Sequence, residues 1–192
     1  MRQDYLQEVE HANDRVRRLE EAIGEAVKQV PKPMREVLQG LQALRGIAQI
    51  SAVTIVSELG QISRFTRARQ LMAYSGTVVS EESSGERVRR GAITQTGNAH
   101  LRRVVIEAAW AYRHRPAIGA RLRQRQQGVG EEVKAIAWKA QHRLHKRYRR
   151  LAAAGKNQQK LVTAIGGELL GFIWAIGVKM ENQASHPSAL AA

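Results

Sequence analysis

"LQALRGIAQISAVTIVSELG", Leu41 to Gly60, decides how the chain is read. Apolar residues at Leu41 and Leu44 close one helical face, Gly46 breaks it, and Ile47, Ile50, Ala52 and Ile55 open another. Helix, short glycine turn, helix is the helix-hairpin-helix pattern. Such a turn can offer backbone N–H groups to a DNA phosphate, with the dipole of the second helix adding to the attraction. Arg45 and Gly46 sit in that turn, and Ser51 is expected to cap the second helix. Ala48 stands where the pattern usually has a second glycine, so a left-handed backbone there would be strained. The same residues also suit an ordinary helical hairpin within a core.

Upstream, apolar residues fall at Leu6, Val9, Ala12, Val16, Leu19, Ile23, Ala26 and Val30, every three or four positions, with charges between them. This spacing predicts a coiled-coil arm over 1–32. Its seam needs a second helix, from another copy of the chain or from its own domain. "VPKP" at 30–33 ends the arm, since proline cannot continue a helix interior. A second helix starts at Pro33 or Met34. Downstream, Ser63 or Thr66 is expected to cap a short helix that stops at Gly76. Asn98 caps a helix carrying Leu101, Val105 and Ala108 and ending by Pro116. Glu131 to Ala154 forms another, with acids at its start and bases at its end, as the helix dipole favours. A last helix follows Asn157. The fold class is therefore all-α with a short irregular or β-like insert. The helical domain covers 33–180, and 181–192 reads as a disordered tail.

The 192 residues suit one domain with an appendage. Without cysteine there is no disulfide framework and no thiolate metal site. The first twenty residues are charged throughout, unlike a signal peptide. "LVTAIGGELLGFIWAIGV", Leu161 to Val178, is apolar enough to raise the question of a membrane span. Glu168 near its middle argues against that, and its glycines suit close helix packing. A reducing cytoplasm is the expectation, without a membrane partner.

Net charge is +14, and its placement is uneven. Met1 to Glu86 carries 11 basic and 12 acidic residues, Arg87 to Arg150 carries 17 and 3, and the remainder carries 3 and 2. The excess lies in the middle third. Such a block calls for a polyanion, and nucleic acid is the expected partner.

That block opens with "SEESSGERVRRGAITQTGN", Ser80 to Asn98, which has no apolar run to build a core. A stretch this polar serves a ligand or solvent. Arg87, Arg89 and Arg90 can pair with phosphate oxygens, two bonds at a time. Thr94 and Asn98 add polar groups, and Gly85 permits close backbone approach. Ser83 and Ser84 could donate to a phosphate or attack it, and attack requires activation. A solvated hairpin fits the same composition. A two-metal nuclease needs clustered carboxylates, yet the aspartates, Asp4 and Asp14, both lie on the arm. His142 and His145 share a helix with arginines and lysines, which disfavour a bound cation. No metal site is expected.

"LRGIAQISAVTIVSELGQISRF", with "ARQLMAYSGTVVSEESSGERVRRGAITQTGNAHLRRVVIEAAWAYRHRP", resembles the C-terminal domain of the one-ten family of insertion-sequence transposases. These are serine recombinases guided by a structured bridge RNA. The resemblance is strong from Leu41 to Pro116 and looser beyond. It implies DNA recombination by a serine that forms a phosphoserine link to the DNA backbone. Ser84 is the first choice for that serine and Ser83 the alternative. Arg87, Arg89, Arg90, Arg102 and Arg103 would hold phosphates or neutralise charge at the reacting group. "TVVS" departs from the proline-containing segment usual in the family. The family also carries an N-terminal resolvase-like domain whose four acids bind divalent metal. The arm supplies no such set, so the chain reads as a truncated copy without a cofactor of its own. A guide RNA and self-association through the arm complete the implied partners. A non-catalytic DNA- or RNA-binding module is the alternative reading.

Overall fold

A computed structural model describes residues 2–84 and 87–185, with Arg2, 80–84 and 87–90 described by their backbone alone. The described residues form eight α-helices and a two-stranded ribbon. The all-α expectation holds, and the β-like insert is a true antiparallel pair. In chain order these are α1 (Arg2–Gln29), α2 (Lys32–Gln42), α3 (Gln49–Leu59), α4 (Ala68–Tyr74), β1 (Val79–Ser84), β2 (Arg87–Ile93), α5 (Ala99–Ala109), α6 (Ala120–Arg125), α7 (Glu131–Ala153) and α8 (Gln158–Ser185). Single 3-10 turns at Ile62–Arg64 and Trp110–Arg113 join α3 to α4 and extend α5.

The core is organised around α8, which packs on α2, α4, α5 and α7. Leu161, Val162, Ile165, Leu169, Leu170, Ile173 and Ile176 of α8 are buried. Its glycines allow the close approach. A Cβ at Gly166 would meet Ile106 of α5 at 3.3 Å, and one at Gly177 would run into the Ile62 side chain. By length and composition α8 could cross a membrane, but half of its apolar window is covered by neighbouring helices. Glu168 lies on this helix and forms ion pairs with Arg143 and Arg147 of α7. The carboxylate inside the apolar run thus joins two helices of the fold.

Helix boundaries follow local chemistry. Pro31 is the N-cap of α2 and Pro33 lies in its first turn, where a missing N–H costs nothing. Asn98 Oδ1 accepts from Leu101 N at 2.8 Å, capping α5. Asn157 Oδ1 accepts from Gln159 N at 2.9 Å at the start of α8. Gly76, at φ +69°, stops α4. Two expectations change, and one helix was not foreseen. Arg67, not Ser63 or Thr66, is the N-cap of α4. α6 had no periodicity to announce it: six residues are under two turns. α8 also continues past 180. Glu181 stays in the helix because its carboxylate accepts from Ile62 N at 2.6 Å and Ser63 N at 2.7 Å. The remainder of the expected tail, 186–192, lies outside the described residues.

The arm α1 packs on α3 near its C-terminal end, where Ile23, Val27 and Val30 are partly covered. Its other seam residues stand in solvent: Leu6, Val9, Val16 and Leu19 are each more than half exposed.

Candidate nucleic-acid interface

The ribbon stands on a tightly bonded base. Ser75 and Thr77, both buried, gather at the Met72 carbonyl: the Ser75 hydroxyl donates to it at 2.8 Å and accepts from the Thr77 hydroxyl at 3.0 Å. Thr94 N donates to Val78 O, Gln95 N to Gly76 O and Asn98 N to Tyr74 O, closing the two ends of the insert against α4. Gln95 takes a left-handed φ of 56°, unusual for a residue with a side chain. Gly97, at φ +126°, leaves no room for a Cβ against the Tyr74 carbonyl. Above this base Val79, the first residue of β1, is 44% exposed.

Pairing puts Val79 opposite Ile93, Glu81 opposite Arg90, Glu82 opposite Arg89, Ser83 opposite Val88 and Ser84 opposite Arg87. A bulge between Val79 and Glu81 inserts one extra residue into β2. The two serines therefore differ in their cross-strand partners: an arginine for Ser84, a valine for Ser83. The connecting residues Gly85 and Glu86 lie outside the described residues, and so does the close approach expected of Gly85.

Several residues picked out from the sequence are engaged inside the fold. Arg102 donates from Nη1 to the Ser75 carbonyl at 2.8 Å, closing the end of α4. Asn98, besides capping α5, donates from Nδ2 to Glu58 at 2.6 Å. Arg45 donates to the Arg115 carbonyl at 2.7 Å and approaches the His114 carbonyl and Gln141 Oε1 at 3.4 and 3.5 Å. Gly46, at φ +85°, presses on α5 so closely that a Cβ would strike the Ala108 carbonyl. The turn glycine of the hairpin thus serves packing against α5. Ser51 does not cap α3. The cap is Ala48, at φ −99° and ψ −174° without a side-chain bond, and Ser51 is already the third helical residue. That extended φ suits any residue, so the missing second glycine brings no strain. Arg103 and Thr94 remain exposed, Arg103 in an (i, i+4) pair with Glu107 at 3.2 Å.

Beneath Arg45 lies Tyr112, fully buried. Its hydroxyl has no hydrogen-bond partner among the described residues, and burial raises its pKa well above the ordinary phenol value, with the charge of Arg45 opposing. Neither histidine of α7 is arranged with acids for a metal. His142 meets Trp138 edge-on, ring centroids 4.5 Å apart, and His145 Nδ1 lies 3.1 Å from the Tyr112 carbonyl.

A second basic surface runs along α7. Its acids are already matched, Glu131 by Lys134 at 2.8 Å and Glu132 by Lys179 of α8. Lys139, Lys146, Arg149 and Arg150 are exposed and form no ion pair among the described residues. Sequence reasoning saw the charge of this helix but not its exposed Trp138. The signal was present in the spacing, since Trp138 falls opposite Val133, Ala137, Ala140 and Leu144 on a helical wheel.

These features define a helical domain with a polar ribbon on a rigid base and strongly basic outer faces. Residues 38–123, from α2 to α6, match the model of the Transposase IS116/IS110/IS902 family, and the chain belongs to this family. A Sinorhizobium fredii protein, y4qE, described as a transposase, is 48% identical over 140 residues, 73% of this chain and 36% of its own length. The transposase for insertion sequence element IS1111A of Coxiella burnetii is 36% identical over 95 residues, 48% of this chain and 26% of its own. That for IS1533 of Leptospira borgpetersenii is 26% identical over 160 residues, 82% and 45%. The chain thus spans between about a quarter and a half of the length of these curated relatives.

Proposed function

We propose that the chain acts in DNA transposition and that Ser84, with Ser83 as the alternative, is the nucleophile toward the DNA backbone. The carrying observation is the ribbon register, which sets Ser84, the last residue of β1, opposite Arg87, the first of β2. The names of the relatives support transposition in general. In the proposed step the serine Oγ bonds to a backbone phosphorus while the bond from phosphorus to one deoxyribose oxygen breaks. The hydroxyl proton passes to a base, and the departing oxygen takes up a proton. Phosphodiester energy stays in the serine ester, so a second strand's hydroxyl can reverse the step and release the enzyme. Arg87, Arg89 and Arg90 would neutralise the charge that builds on the phosphate. The resemblance assigns divalent metal to an acidic N-terminal domain, and the reaction would draw on that domain in the same protein or in a partner.

Self-association through α1 belongs to the same proposal. Its seam from Leu6 to Leu19 is exposed at heptad-like spacing, and a second copy's α1 would bury it. The net charge of +14 supports DNA and a guide RNA as partners. Incubating the chain with DNA, alone and with a full-length family member, provides the test. A covalent adduct that survives denaturation, is lost in Ser84→Ala and persists in Ser83→Ala is expected. Loss only in Ser83→Ala moves the role to Ser83. Salt-sensitive binding with no adduct in any mixture sinks the catalytic reading in favour of a binding module.

A further inference from the structure

The exposed face of α7 lies outside the residues shared with the family model, and it combines two features seldom found together. Trp138 is 41% exposed on a helix whose opposite face is buried core. Four other positions share its side of the helix: Lys139, His142, Lys146 and Arg149, all exposed. The lysines and the arginine have no carboxylate partner among the described residues. His142 meets the indole edge-on, ring centroids 4.5 Å apart, which restricts its rotamers while leaving area open to solvent. From Trp138 to Arg149 the helix rises about 16 Å. Exposing an indole costs free energy, and surrounding it with unpaired cations suits neither a packed core nor an apolar docking face.

We infer that this face is a stacking platform for an unpaired nucleotide: Trp138 takes a base, and Lys139, Lys146 and Arg149 follow the phosphates of the same strand. The physics is that of sequence-tolerant single-strand binding. Every base has a π-face for an aromatic ring, and cations along a groove or stripe track the backbone. A duplex hides its base faces in the stack, so it can use the cations but not the indole. The inference rests on the reading that the basic middle of the chain engages nucleic acid. It adds which side chain distinguishes a single strand from a duplex.

Fluorescence anisotropy with labelled 20-mers of dT, of rU and of a mixed-sequence DNA duplex tests it, using the whole chain and its Trp138→Ala and Trp138→Phe variants. Alanine is a better helix former than tryptophan and the site is exposed, so folding is expected to survive, with far-ultraviolet circular dichroism as the check. Trp138→Ala should weaken binding of at least one single strand by about tenfold or more, the lower half of the range for one stacked base. Duplex binding should change by less than about twofold. Trp138→Phe should keep most of the single-strand affinity. A loss confined to rU identifies an RNA strand as the ligand, and a loss confined to dT a DNA strand. As an independent readout, the part of the fluorescence that Trp138→Phe lacks should be quenched when a single strand binds. Duplex binding by the wild type with no single-strand loss in Trp138→Ala overturns the platform and leaves the broader reading intact. Failure of the wild type to bind any of the three probes overturns both.

Discussion

Two basic regions of this molecule look alike in sequence and behave differently in the fold. Around the helical hairpin and the start of α5, the polar groups are spent on the protein itself. Arg45 holds the carbonyls of the 114–115 loop, Arg102 holds Ser75, and Asn98 holds Leu101 N and Glu58. Along α7, Lys139, Lys146, Arg149 and Arg150 form no ion pair among the described residues, while Arg143 and Arg147 turn to Glu168. The lesson is that charge marks a nucleic-acid surface only after the backbone has taken its share. A guanidinium near a helix end or a tight loop finds carbonyls close by. One on the outer face of a long helix does not, because those carbonyls already accept hydrogen bonds within the helix. Substitutions in the first region should therefore cost stability, and those in the second should cost affinity.

The largest effect is expected at Gly46. Alanine there meets the Ala108 carbonyl and must also adopt φ +85°, so two penalties coincide. Gly46→Ala should destabilise the chain by about 3 kcal/mol or more, measured by urea unfolding. If the turn instead existed to approach a phosphate, stability would hold and DNA affinity would fall, and the distinction between the two regions would break.

Asn98→Ala comes next, at about 1–3 kcal/mol, because it removes an N-cap and leaves part-buried Glu58 without its donor. Arg102→Ala should cost about 1–2 kcal/mol through the Ser75 carbonyl. DNA affinity measured well below the unfolding transition should stay within about twofold for either variant. A tenfold affinity loss with unchanged stability would return these residues to the phosphate-binding role expected of them from the sequence.

The third prediction works the other side of the divide. Combining Lys139→Ala, Lys146→Ala and Arg149→Ala should leave unfolding unchanged to within about 1 kcal/mol, as exposed unpaired cations contribute little to the fold. It should reduce the salt dependence of nucleic-acid binding, by about one unit of the log–log slope for each phosphate that is no longer neutralised. An unchanged slope would mean that the polyanion lies elsewhere.

How much of this was legible beforehand follows the same division. Long helices announced themselves, because α1, α5, α7 and α8 repeat their apolar residues over several turns and carry caps such as Asn98 and Asn157. α6 is too short for a period, and α3 begins at a residue with no capping side chain, so Ser51 attracted a role three positions too late. The ribbon was foreseen only as an extended insert, since its sequence lacks a strict alternation of apolar and polar residues. For the site, the sequence showed which residue types could meet a phosphate. It could not show that Arg45, Asn98 and Arg102 face carbonyls and a carboxylate contributed by segments up to 70 positions away. Nor could charge alone separate Ser84 from Ser83, which differ here by the residue across the ribbon.

The smallest effect sharpens the contrast at its buried edge. Tyr112 supports the Arg45 region with its ring while its hydroxyl finds no partner among the described residues. Tyr112→Phe should therefore change stability at neutral pH by less than about 1 kcal/mol in either direction, since no hydrogen bond is removed and a buried polar group is. The two proteins should separate in alkali. In the folded chain the phenol holds its proton more tightly than in the unfolded chain, because burial outweighs the charge of Arg45. The stability this group contributes is fully present below the ordinary tyrosine pKa near 10 and is lost as pH rises from there toward the folded value. Unfolding of the wild type should thus become easier from about pH 10 upward, and Tyr112→Phe should remove part of that slope. Identical alkaline slopes would mean that the hydroxyl reaches water, and the turn region would then be less tightly closed around Arg45 than its hydrogen bonds indicate.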